Sequence, residues 1–120
     1  MAQDRPTAGE LLEAVREFLD REVRPRLDGQ PAFHARVAAN VLAIVERELE
    51  LAPGFDAAEA GRLGALLGRG GALDDLNAAL ATAIRAGDMD GRSDVAAHLL
   101  ATARDKLRIA NPRYLGRDET

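Results

Sequence analysis

The chain contains no cysteine and no tryptophan, and it has one lysine (Lys106) and one serine (Ser93). Without cysteine there is no disulfide, no thiolate nucleophile and no cysteine-held metal, which fits a cytoplasmic setting. Ser93 does not lie in a nucleophile elbow and is better placed to cap a helix, so serine hydrolase chemistry is not expected. Aromatic residues make up 3% of the chain. No run of β-branched residues is long enough for a sheet strand. No apolar stretch reaches the ~18 residues of a membrane span. The opening MAQDRPTAGE has no apolar core, so no signal peptide is expected. The net charge of −4 and a pI of about 5.2 lack the basic footprint of a nucleic-acid binder.

What is present favours closely packed helices. Hydrophobic residues are 47% of the 120, and 24 of them are alanine, the best helix former and small enough for close approach. The expectation is an all-α, single-domain bundle of about five antiparallel helices over residues 1–115, with a flexible tail over 116–120. Thr7-Ala8-Gly9-Glu10 fits a capping box and opens a first amphipathic helix marked by Leu11, Leu12, Val15, Phe18, Leu19 and Val23. Pro25 bends or ends it, and Asp28-Gly29-Gln30-Pro31 makes a turn. A second helix runs from about Ala32 to Leu51, where Ala52-Pro53-Gly54 stops it. A third, weakened by Gly61 and Gly64, follows Asp56 through Leu67. After Gly68-Arg69-Gly70-Gly71, a fourth spans Leu73–Ala86, with Asp74 and Asp75 at its positive end and Gly87 as its stop. Its apolar marks are Leu76, Leu80 and Ile84. Ser93 caps a fifth, with Val95, Leu99, Leu100, Ala103 and Leu107 as its apolar side. Asn111-Pro112 ends it, and Tyr114-Leu115 folds back.

The second helix is the most informative. At about 100° per residue, Phe33, Val37, Val41, Ile44, Val45 and Leu49 share a broad face. His34 and Glu48 fall within that face, and Arg36, Asn40 and Arg47 line its edge. Glu22 and Arg26, four apart on the first helix, have the spacing of a helical ion pair. A hairpin turn near Gly29 brings them toward His34 and Arg36, where a carboxylate beside an imidazole can hold its tautomer or raise its pKa. This cluster reads either as a network fixing the hairpin register or as a ligand or partner site, unless Pro25 turns Arg26 out to solvent. The stripe of Arg36, Asn40 and Arg47 reads either as an anion grip, or as a solvated edge balanced by Glu46 and Glu50, or as a subunit contact, the last two being favoured.

The basic end offers a second candidate. Lys106, Arg108, Asn111 and Arg113 complement the dipole of a helix C-terminus, or they dock an acidic partner or a phosphorylated cofactor with Tyr114 and Leu115 as apolar anchors. Gly68-Arg69-Gly70-Gly71 resembles a phosphate loop but lacks the Lys-Ser/Thr pair, and Asp74 and Asp75 repel phosphate. Asp88-Met89-Asp90-Gly91 fails as a calcium loop because Ala86 and Ala97 occupy the first and twelfth positions. His98 stands four after Asp94, a surface-pair spacing. Two isolated histidines without a Glu-x-x-His or HExxH pattern make no metal site. No catalytic set and no cofactor are expected.

The segments RPTAGELLEAVREFLDREV, FHARVAANVLAIVERELEL and KLRIANPRYL resemble a bacterial domain-of-unknown-function family of small helical proteins. Members are encoded beside, or fused to, kinase-like proteins resembling aminoglycoside phosphotransferases, often near acyl-CoA dehydrogenase genes. The resemblance implies a non-enzymatic accessory protein with a phosphotransferase-like kinase or an acyl-CoA dehydrogenase as partner; it supplies no catalytic residues. The alternative is a small-molecule binder for an acyl-CoA or phosphorylated metabolite, held by Arg36, Arg47 or the basic end. A third, less favoured class is an enzyme using Glu22 and His34 as acid and base. The many apolar positions of the second and fifth helices, in so small a chain, point to a homodimer.

Overall fold

A computed structural model of the chain describes residues 5–116. Among these residues there are helices and no strands, so the all-α expectation holds. The α-helices number four rather than five: α1 (Ala8–Phe18), α2 (Gly29–Leu67), α3 (Leu73–Arg85) and α4 (Ser93–Ala110). The expected second and third helices are one 39-residue helix that passes through Pro53. Pro53 lacks one N–H but accepts the helical φ it already prefers. Gly54 does not adopt a positive φ, so nothing reverses the chain there. Gly68 (φ 69°) and Gly87 (φ 84°) do adopt that conformation and end α2 and α3. The tail expected over 116–120 lies, beyond Gly116, outside the described residues.

The chain groups into two compact units, Met1–Leu51 and Ala52–Thr120. In the first, Thr7 and Glu10 form the expected capping box. Past Phe18 the helix widens into a π turn, Leu19–Val23, then tightens into a 3-10 turn, Arg24–Arg26, which contains Pro25. Gly29 (φ 63°) starts α2, and Pro31 sits in its first turn, where a missing N–H costs nothing. Arg16 on α1 donates to both carboxylate oxygens of Glu46 on α2, at 2.5 and 3.3 Å. The partners are 30 residues apart across the turn, so α1 and this part of α2 run antiparallel. Glu46 thus has a partner on α1.

On the contact side of this hairpin, Ala35 and Ala39 are buried. The expected core face does not close. Leu11, Val15, Phe18, Phe33, Val37, Val41 and Leu49 are each about half exposed. With Ala35 and Ala39 on the buried side of α2, the bulkier Phe33, Val37, Val41 and Leu49 lie on other sides of the helix.

The second unit has a conventional core. Leu63, Leu76, Leu80 and Val95 form a buried cluster, with Leu66, Leu67, Leu73 and Met89 packed around it. Arg62 reaches His98 and Thr102, while Arg108 lies 6.0 Å over the ring of Phe55. Moving back along α2 thus corresponds to moving forward along α4, so these two segments run antiparallel. The core-facing side of α4 is not the expected one. Val95 and His98 are buried, whereas Leu99 and Leu100 are half exposed. Ile84 of α3 is also exposed. Ser93 is the first helical residue rather than the cap. Asp94 instead accepts the Val95 N–H at 2.9 Å and pairs with Arg92 at 2.6 Å.

Candidate functional site

The π turn decides the character of the hairpin's closed end. Its extra residue per turn carries the Arg24 N–H to the Leu19 carbonyl, and such turns recur at functional sites. It places Asp20 and Arg24 side by side, joined at 2.7 Å. Pro25 then turns the chain, and the first turns of α2 supply Ala32, Phe33 and Arg36. Together these six residues line an open groove of about 590 Å³. Arg24 is balanced by Asp20. Arg36 is exposed and has no ion-pair partner among the described residues. The groove therefore combines one unbalanced guanidinium with the Phe33 ring and the Pro25 ring, a setting suited to an organic anion with an apolar portion.

The expected cluster is only partly assembled. Glu22 and Arg26 form the predicted i,i+4 pair, at 3.9 Å with both side chains mostly exposed. Pro25 has turned Arg26 outward, one of the two outcomes anticipated. His34 packs edge-on against Phe33, with ring centroids 5.8 Å apart. Among the described residues no hydrogen bond or ion pair joins His34 to Glu22, so the acid–base pair imagined for an enzyme is not brought together. Arg36 enters the groove. Asn40 is exposed and Arg47 half-buried.

At the basic end, Lys106, Asn111 and Arg113 are exposed and Tyr114 is 76% exposed. Leu115 is only 9% exposed. It packs inward from the 3-10 turn Pro112–Leu115 and cannot serve as an apolar anchor for a partner. Arg108 is engaged with Asp105 at 3.5 Å and with Phe55. The residues available for docking are thus Lys106, Asn111, Arg113 and Tyr114.

Sequence reasoning missed one buried polar set. His98 does not pair with Asp94 on the surface; it is 3% exposed. Arg62 Nε donates to His98 Nδ1 at 3.0 Å, and its Nη2 donates to Thr102 Oγ1 at 3.0 Å. Because Nδ1 accepts, the ring proton resides on Nε2 and the imidazole is neutral. Burial pushes the His98 pKa down, and the Arg62 charge adds to that, with Glu59 opposing. The available signal was Arg62 inside the apolar run of α2, together with the i,i+4 spacing of His98 and Thr102. A further open groove, about 600 Å³, is lined by Arg69, Asp75, Thr82 and Asp88 among others.

A family model, Domain of unknown function (DUF6285), matches residues 25–114, three quarters of the chain. The chain belongs to the DUF6285 family. A family of unknown function is what the sequence resemblance led to expect. The DUF6285 match begins at Pro25, so it takes in the groove residues Pro25, Ala32, Phe33 and Arg36, and all of α2, α3 and α4. No curated protein and no solved structure matches. Among the described residues no helix is long and apolar enough to cross a membrane, and no group of three or more His, Asp or Glu is placed to hold a metal.

Proposed function

We propose that the protein is a non-enzymatic accessory or interaction protein of the bacterial cytoplasm, partnering a phosphotransferase-like kinase linked to acyl-CoA metabolism. The supporting observation is the outer side of α2. Phe33 and Val37, one turn apart, are 59% and 41% exposed beside the unpaired Arg36. A large aromatic next to an arginine is the composition of an interface hot spot. The kind of partner rests on the resemblance of the three segments quoted above. The test is co-purification of the tagged chain with the kinase-like neighbour from the native host. Wild type is expected to retain the kinase, and Phe33→Ala with Val37→Glu to lose it. Recovery of the wild-type chain alone would count against an accessory role.

A second reading draws on the groove at the hairpin's closed end. Arg36 and Phe33 suit the phosphate and apolar parts of an acyl-CoA or another phosphorylated metabolite. Calorimetric titration with an acyl-CoA is expected, on this reading, to show binding that Arg36→Ala weakens about tenfold, the scale of one charge-assisted contact. Absence of heat with wild type would eliminate it.

A further inference from the structure

The first unit leaves α1 under-supported. Eleven residues are too few for a helix to persist by itself in water, so packing must hold it, yet none of its residues is fully buried. Three of its apolar residues, Leu11, Val15 and Phe18, form an i, i+4, i+7 stripe that is about half exposed. Helical geometry shows where that stripe lies. The Arg16–Glu46 bond fixes the contact side of each helix. Stepping 100° per residue from it, in opposite senses because the helices are antiparallel, brings α1's stripe and Val41, Val45 and Leu49 of α2 to one common side of the hairpin. Phe33 and Val37 point elsewhere, toward the outer side of α2. The same bond sets the heights: Leu11 is level with Leu49, Val15 with Val45, and Phe18 with Val41, each within about one turn.

We propose that this side of the hairpin is covered by the same side of a second copy, making a two-fold four-helix bundle. A two-fold axis parallel to the helices keeps every residue at its own height. It sets α1 of one copy over α2 of the other, so Leu11, Val15 and Phe18 meet the partner's Leu49, Val45 and Val41. A self-complementary surface needs apolar groups at equal heights on its two helices, and this hairpin has three such levels. Leu11, Val15, Phe18, Val41 and Leu49, each about half exposed, leave roughly 500 Å² uncovered per copy with Val45 half-buried among them, and two copies give about 1,000 Å², the size at which specific interfaces begin. An unrelated partner would need no height match between the two helices; a second copy does.

The measurement is the mass of the full chain in solution across a range of concentrations. The expected value is twice 12.8 kDa, falling toward one copy on dilution. Val15→Glu is expected to raise the dissociation constant by about a hundredfold, the effect of desolvating a charge at a central position. Val37→Glu, on the outer side of α2, leaves the mass unchanged. An equimolar mixture of Val15→Glu chains and Val45→Lys chains recovers the double mass, since one junction is then apolar and the other oppositely charged. That recovery separates lost association from lost folding. A single-copy mass at all concentrations, a dimer indifferent to Val15→Glu, or one broken by Val37→Glu would overturn the proposal. Kinase capture is read separately, on the Phe33–Val37 side, so loss of the dimer through Val15→Glu leaves that reading untouched.

Discussion

His98 shows how one buried group ties stability to pH. In the folded chain its Nδ1 accepts from Arg62, so protonation would set two cations against each other. The folded pKa lies below the ordinary value of 6.5, chiefly because the ring is buried. The unfolded chain binds this proton near 6.5 and the folded chain does not, so below that pH the unfolded state carries more protons and gains stability relative to the fold. The contribution is complete above pH 6.5 and is lost progressively beneath it, down to the folded value. Thermal midpoints of wild type are expected to drop across this window, with His98→Gln showing a shallower drop. A wild-type midpoint that held steady across it would contradict the assignment. Arg62→Ala removes the donor to Nδ1 and to Thr102 at once. Leaving a buried acceptor unsatisfied costs about 1–3 kcal/mol, measurable by denaturant unfolding, and the His98 pKa should rise once the neighbouring charge is gone.

At the scale of the element, α2 is the instructive case. Pro53-Gly54 carries the two residues that most oppose a helix, and the sequence reading accordingly ended one there. Both are exposed, and the helix continues through them. The loss is confined to one N–H and to the steric conflict with the preceding turn. Replacing Pro53 by Ala restores the bond, offset by a freer unfolded chain. The expected gain is about 1–2 kcal/mol, seen as a higher thermal midpoint with unchanged helix content. A loss of stability would mean that the proline ring itself is required at this position. The π turn makes the opposite point. Asp20 and Arg24 have an ordinary i,i+4 spacing, and nothing in the sequence distinguishes that pair from Glu22 and Arg26. One pair lines a groove and the other faces solvent because the widened turn and Pro25 rotate them apart.

For the whole molecule, the two units differ in what holds them. The second encloses Leu63 and Leu76, both essentially inaccessible. The first buries two alanines and otherwise relies on surfaces left half open. Leu63→Ala is expected to cost about 2–5 kcal/mol, because the cavity lies within a closed cluster. Hydrogen exchange should find the amides around Leu63, Leu76 and Leu80 the slowest, and those of α1 faster at low protein concentration. Protection of α1 that rises with concentration follows from the paired hairpin; protection equal to that of the core at every concentration would not fit it.

Much of the local structure was legible in the sequence. The capping box at Thr7 and Glu10, the stops at Gly68 and Gly87, and the end at Asn111-Pro112 rest on backbone chemistry that operates within four residues. The absence of strands followed from alanine-rich composition without β-branched runs. The side of each helix that turns inward did not follow from its own residues. On α2 close approach selected Ala35 and Ala39 over Phe33 and Val37. On α4 a guanidinium 36 residues away selected His98 over Leu99 and Leu100. Local rules set where helices begin and end because the groups involved are neighbours in the chain. Only tertiary structure chose the buried faces, because that choice depends on which distant side chain can come close and satisfy what it covers.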